Sequence, residues 1–246
     1  MLSLIWTDVI TRPLYNGLIV LMHLLPFADA GVIVIVLTII IKLILLPLAI
    51  KATKAQLQMK SIEKDLADIK EKYKDNKEEQ SRKTIEYYRE KGINPFASFF
   101  ILIIQIPIIV GLYRVFLYSG LPKINTALLY SFVPAVLTVN MTFLGVVNIS
   151  QKSIVLAILA GISTYFQLDM AGKTQSRLNA SGPKNVQAEV AANMTKQLKY
   201  FFPVIVVFIS YSISGAVALY WVTSNIFAII QEIYIRKKYH QAVTVL

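Results

Sequence analysis

Residues 31–50 read GVIVIVLTIIIKLILLPLAI. As a helix this stretch is long enough to cross a hydrocarbon core of ~30 Å, and its one charge is Lys42. A cation near the bilayer centre costs about 2.5–3.5 kcal/mol on insertion scales, so it normally faces protein or water rather than lipid. Lys42 precedes Lys51 by nine residues, about 13 Å of helix, which is deep for a side chain that must reach the interface. Thr38 stands one turn earlier on the same face. The pair predicts a polar surface buried within a membrane.

The bulk numbers agree with a membrane setting. The chain has 246 residues, 56% of them hydrophobic, and a mean hydropathy of +0.58, values that point to a polytopic membrane protein. The formal charge of +11 would suit nucleic acid, but the basic residues flank apolar spans, as expected beside a membrane, so no nucleic-acid sequence is implied as a partner. Without cysteine there is no disulfide framework, thiol chemistry or lipid-modified cysteine. Two distant histidines make no zinc protease motif, and no phosphate-binding glycine loop occurs. Hence no cofactor, metal or enzymatic activity is expected. The N-terminus lacks a basic region and a small-residue cleavage site, so no cleavable signal is expected either.

Outward from the first span, the chain divides as follows. Residues 1–30, with Asp8, Arg12 and Asn16 punctuating an apolar pattern, predict an amphipathic interfacial helix. Residues 51–92 carry twelve Lys/Arg and nine Asp/Glu. Ala55, Met59, Ile62, Leu66, Ile69 and Tyr73 alternate four and three apart, a coiled-coil seam. The stretch 74–80, KDNKEEQ, suits a turn; Ile85 and Tyr88 resume a stripe that Gly92 can close. This is a helical hairpin. Asn94-Pro95 is a helix-starting pair for a second span at 93–119, containing Gln105 and Pro107. Residues 120–152 read as a loop and 153–171 as the third span. Residues 172–199 read as a polar loop broken at Ser181-Gly182-Pro183. The apolar run 200–235 is too long for one crossing and folds back at Ser214-Gly215, giving short fourth and fifth spans that would thin the bilayer. A tail of 236–246 follows, short for a basic ribosome-docking arm. Segments 51–91, 173–199 and 236–238 together hold twenty Lys/Arg; the other side has Arg12, Arg114, Lys123 and Lys152. The positive-inside rule then puts the N-terminus outside and the hairpin and C-terminus in the cytoplasm.

Three pieces of sequence, in this order, carry a resemblance. They are Thr38-Ile-Ile-Ile-Lys42-Leu-Ile-Leu-Leu-Pro47; Asn94-Pro95 through Gln105-Ile-Pro107 to Leu112-Tyr113; and Tyr200-Phe-Phe-Pro203 through Leu219-Tyr220-Trp221-Val-Thr-Ser-Asn225 to Gln231. The chain resembles the YidC family of membrane-protein insertases over about residues 1–240, in the short form without a large extracytoplasmic domain. The resemblance implies an all-α fold of five transmembrane helices enclosing a hydrophilic groove, open to cytoplasm and lipid, plus the cytoplasmic helical hairpin. It implies a bacterial plasma (inner) membrane location. Its implied partners are nascent membrane proteins and the lipid bilayer, with the ribosome and the Sec translocon as further candidates. The family's groove carries a cation that attracts acidic residues of the incoming chain. That cation is usually Arg, and here it is Lys42, which keeps the charge but loses the bidentate fork. The turn Ile213-Ser-Gly-Ala also departs from the family's Pro-Ala-Gly type.

The site residues this implies are Lys42, Thr38, Gln105, Gln167, Tyr220, Trp221, Ser224 and Asn225. Each has a plainer reading. Thr38 can bond its own helix. Gln105 can satisfy the carbonyl that Pro107 frees. Gln167 can sit in interfacial water, and Tyr220 and Trp221 in an aromatic belt. Ser224 and Asn225 continue the polar side of the last helix, and Asn225 can join helices. The expected function is a membrane-protein insertase and chaperone receiving acidic-tailed apolar segments. The rival is an anion transporter or channel using Lys42, against which stand the single intramembrane cation and the absence of an internal repeat.

Overall fold

The computed structural model describes residues 6–94, 97–118, 121, 123–134, 139–179 and 186–243. A π-helical turn, Thr7–Thr11, runs straight into helix α1, Arg12–Leu24. Proline is accepted in its first turn because the missing N–H would have had no helical partner there. Tyr15, Leu18, Ile19 and Met22 are buried at the spacing of one helical face. That face is covered by protein, so the segment packs on the rest of the bundle through it.

Helix α2, Ala30–Ser61, starts where Asp29 Oδ1 accepts the Val32 N–H at 3.0 Å, an N-cap. The apolar span and the start of the charged segment are one continuous helix, which runs through Pro47 to Ser61. Residues 51–61 are mostly strong helix formers, and Ala52 and Ala55 are buried, so nothing forces a stop at the change of polarity.

The charged segment forms α3, Glu63–Lys72, and α4, Lys77–Glu90. The turn is narrower than the expected 74–80, because Asn76 caps α4 by accepting the Glu79 N–H at 3.1 Å. Glu78 and Glu79 then favour the positive end of the helix. Gly92, at φ 63°, closes α4 as expected: Ile93 N–H donates to Tyr88 O at 2.9 Å and Gly92 N–H to Arg89 O at 3.1 Å, a Schellman ending. Gln80 Nε2 donates to Lys70 O at 2.6 Å and the Tyr87 hydroxyl to the Asp65 carboxylate, so the two helices fold back on one another. Ile62 is buried, while Leu66, Ile69 and Tyr73 of the expected seam are only half-buried.

Helix α5 is Ala97–Tyr118 and passes through Pro107; residues 95–96, at the expected start, lie outside the described residues. The segment 120–152 amends the all-α expectation. It contains a 3₁₀ turn, Thr126–Leu128, and a two-stranded antiparallel hairpin, β1 Thr142–Phe143 and β2 Val147–Asn148, pairing Thr142 with Asn148 and Phe143 with Val147. This segment is bound at three places. Asn16 Nδ2 donates to Leu128 O at 2.9 Å, its Oδ1 accepts Tyr130 N–H at 2.8 Å, and Tyr15 Oη accepts Asn125 N–H at 2.8 Å. Asp29 Oδ2 accepts Leu144 N–H at 3.0 Å. Gly215 and Ala216 N–H groups donate to Gln151 O and Ile149 O at 2.8 and 2.9 Å.

Helices α6, Ile154–Asn179, α7, Val186–Ile213, and α8, Gly215–Val243, complete the chain. The expected turn at Ser214-Gly215 is present. The expected loop 172–199 is largely helix, as α6 extends to Asn179 and α7 begins at Val186; the Ser181-Gly182-Pro183 breaker lies outside the described residues. Hence α7, at 28 residues, is not a short helix, although its apolar part, Lys199–Ile213, is short. Gly161 lets α6 and α7 touch: a Cβ there would stand 2.3 Å from Val207 Cγ2 and 3.1 Å from Pro203 O. Asp169 and Lys199 join the same helices at 2.5 Å, with Lys199 5.1 Å from the Tyr165 ring centre.

Helix α8 is central, packing on α6 and α7 to one side and on α2 and α5 to the other. Among the described residues, Ala30–Ala55 and Gly215–Ile235 are long and apolar enough to cross a membrane; Gln105–Phe116, Ile154–Met170 and Lys199–Ile213 are shorter apolar stretches. The span within α8, at 21 residues, is therefore not short, contrary to expectation.

Candidate functional site

Lys42 lies on the border between two faces of α2. Val34, Leu37 and Thr38 are buried toward the bundle, whereas Ile39, Ile40, Leu43 and Ile44 are exposed. From this border Lys42 Nζ donates to Gln105 Oε1 on α5 at 3.2 Å. Gln105 Nε2 donates to Tyr220 Oη at 2.5 Å and points at Ser224 Oγ at 3.5 Å. Tyr220 and Ser224 are one turn apart on α8 and are 1% and 4% exposed. One amide thus joins α2, α5 and α8.

Among the described residues no carboxylate pairs with Lys42; its acceptor is a neutral amide oxygen. Such a bond is charge-assisted on the donor side only, and the amide brings no opposite charge to the ammonium. The cation is held without being neutralised, at a place where the neighbouring side chains face outward.

The other expected site residues divide. Thr38, 2% exposed, donates to Val34 O at 2.6 Å, which is its plainer reading. Asn225, 4% exposed, turns to the opposite side of α8, where its Nδ2 donates to Ser163 Oγ at 3.0 Å and Thr164 Oγ1 at 2.8 Å on α6. It joins helices there, away from Lys42. Trp221 shares the Asn225 face of α8 by register, and Gln167 follows Ser163 by one turn of α6; both are half-buried. The structure does not bring them into the Lys42–Gln105 chain. Gln105 is not the partner of a carbonyl freed by Pro107, because both ends of its amide are engaged elsewhere.

Ser163 and Thr164 were not legible as polar partners in the sequence. The available signal was a pair of adjacent hydroxyl residues inside an apolar span, and hydroxyl residues in such helices commonly bond their own backbone. These do so too, donating to Ala160 O at 2.9 and 2.7 Å, while also accepting from Asn225.

Comparison with known proteins bears on this arrangement. Residues 21–242 match the family model described as 60Kd inner membrane protein. A "Membrane protein insertase YidC" of Clostridium tetani is 32% identical over 212 residues, covering 86% of this chain and 84% of the relative. A protein of the same name from Fusobacterium nucleatum is 31% identical over 208 residues, 85% of this chain and 86% of its own. In Methylobacterium radiotolerans the match is 27% identical over 241 residues, 95% of this chain but 36% of that relative. Matches on this scale, spanning α2 with Lys42, α5 with Gln105 and α8 with Tyr220 and Ser224, show that the chain belongs to the 60Kd inner membrane protein family, that of the YidC insertases.

Proposed function

We propose that this protein inserts other membrane proteins into the bilayer, using Lys42 to receive acidic, unfolded segments. One observation carries the reading: a cation within the α2 span is bonded to a neutral amide, and among the described residues no acid pairs with it. An incoming carboxylate supplies the missing countercharge in surroundings of low dielectric, where the attraction is strong. The client's apolar segment then passes into lipid beside the exposed Ile39, Ile40, Leu43 and Ile44, releasing roughly 25 cal/mol per Å² of apolar surface removed from water. No covalent step is required.

In this reading α2, α5, α6, α7 and α8 are five spans around a hydrophilic groove in the inner membrane. Nascent membrane proteins are the clients, and ribosome and translocon are further partners of the cytoplasmic side. The basic residues of 51–91 put α3 and α4 in the cytoplasm with the C-terminus, and the N-terminus outside. Thr38, Gln167, Trp221 and Asn225 are then residues that shape or border the groove, and Lys42, Gln105, Tyr220 and Ser224 its polar wall. The relatives named above are membrane protein insertases, which gives the anion-transport reading no support.

Proteoliposomes containing the purified chain test this with three readouts: insertion of a small acidic-tailed single-span protein, chloride flux, and cleavage of the client. Insertion alone is the expected result; chloride flux without insertion sinks the proposal. Cysteines replacing Asp68 and Lys77 should label from the cytoplasm only, and labelling from outside inverts the topology.

A further inference from the structure

We propose that Gln105 is a placeholder for the client's acidic group. Its amide oxygen occupies the acceptor position on Lys42 that a carboxylate takes over, and so sets how strongly the site prefers acidic to neutral segments. The inference rests on the insertase reading above.

Three features support the placeholder. Gln105 has one acceptor oxygen, and its nitrogen is tied to Tyr220 Oη at 2.5 Å and aimed at Ser224 Oγ at 3.5 Å, so the oxygen is directed to Lys42 by groups of a third helix. A neutral acceptor holds one N–H of the ammonium, yet yields to a carboxylate, which adds the opposite charge to the hydrogen bond. Lys42, itself half-buried, is flanked on α2 by the exposed Ile39 and Leu43, so a segment lying along that face comes up beside it. A carboxylate at position 105 would instead be a permanent countercharge, and an apolar group there would leave the ammonium without this acceptor.

The experiment uses the full chain in phosphatidylethanolamine–phosphatidylglycerol liposomes. The clients are two single-span proteins that differ only in tail carboxylates, Asp in one and Asn in the other. Gln105→Glu should lower the acidic-to-neutral insertion ratio roughly tenfold, the scale of one lost hydrogen bond to a charged group. Gln105→Met, similar in size and without the acceptor, should raise the acidic-to-neutral ratio. Equal losses for both clients in Gln105→Glu, or a ratio that falls in Gln105→Met, overturn the placeholder. The Met arm decides alone where the Glu variant does not fold, as judged by thermal unfolding. Lys42→Glu separates the two ideas. If it shifts the client ratio and neither Gln105 variant does, only the placeholder fails; if it leaves the ratio unchanged, the insertase reading of Lys42 fails with it.

Discussion

Two polar clusters meet α8 from opposite sides, and adjacent residues serve them. Ser224 faces α5 with Gln105, Tyr220 and, through Gln105, Lys42. Asn225, one position on, faces α6 with Ser163 and Thr164. The second cluster is closed: its three residues are at most 8% exposed, they are neutral, and their hydroxyls also bond backbone. The first contains a charge bonded to a neutral acceptor at the edge of an exposed apolar face. On the proposed function, the second cluster is a joint between helices and the first a receiving surface. What separates the two is whether the charge in the cluster is already neutralised and whether a segment can reach it.

The sharpest way to break the comparison is to invert the charge. Lys42→Glu should reduce insertion of acidic-tailed clients by at least about tenfold, Lys42→Ala less, and Lys42→Arg should retain it, read as inserted client per proteoliposome. Full activity of the Glu variant with acidic clients would erase the distinction. The closed cluster should answer differently. Asn225→Leu should cost about 1 kcal/mol of stability, the scale of interhelical hydrogen bonds in membranes. Ser163 and Thr164 keep their backbone acceptor, so thermal unfolding should shift downward while the acidic-to-neutral client ratio stays at the parent value. A changed ratio would move Asn225 into the receiving site.

Thr38→Val sharpens the border between the clusters. Because its hydroxyl bonds only Val34 O of its own helix, the substitution should alter stability by about 1 kcal/mol or less, the scale of one intramolecular hydrogen bond, and leave client preference unchanged; loss of preference for acidic clients would make Thr38 part of the polar wall. The smallest effect lies outside both clusters. The Tyr87 hydroxyl donates to Asp65, and this bond, with some desolvation, pushes its pKa up to about 12. Since the folded value lies above the ordinary value of 10, the contact is fully present below that pH. It is lost as pH rises through about 12. An ultraviolet titration of Tyr87→Phe against the parent should lack one tyrosine in that upper range, and loss of a tyrosine titrating at the ordinary value would show the bond is absent.

Much of the architecture was legible because the signals are local. The lone Lys42 in an apolar run, the Ser214-Gly215 reversal and the Gly92 helix ending each need only a few neighbouring residues. Expectations failed where polarity was read as a break. Much of 172–199 is helical, because helix formation follows propensity and packing; the helix from Ile154 runs through Gly172 to Asn179, and another covers Val186 onward. The β1–β2 hairpin escaped notice because two-residue strands carry no periodicity and are held by distant groups such as Asp29.

By itself the sequence determined that a cation lies within a membrane-length helix and that polar residues recur at one-turn spacing on the last helix. Only the tertiary structure decided which of them meet. Side-chain spacing along one helix places residues on its surface, but the rotation of α8 against α5 and α6 gave Ser224 to Lys42's network and Asn225 to Ser163 and Thr164. Packing sets that rotation, as at Gly215 of α8, where a Cβ would stand 3.1 Å from Ile149 Cα and 3.3 Å from Leu156 Cδ1 on α6.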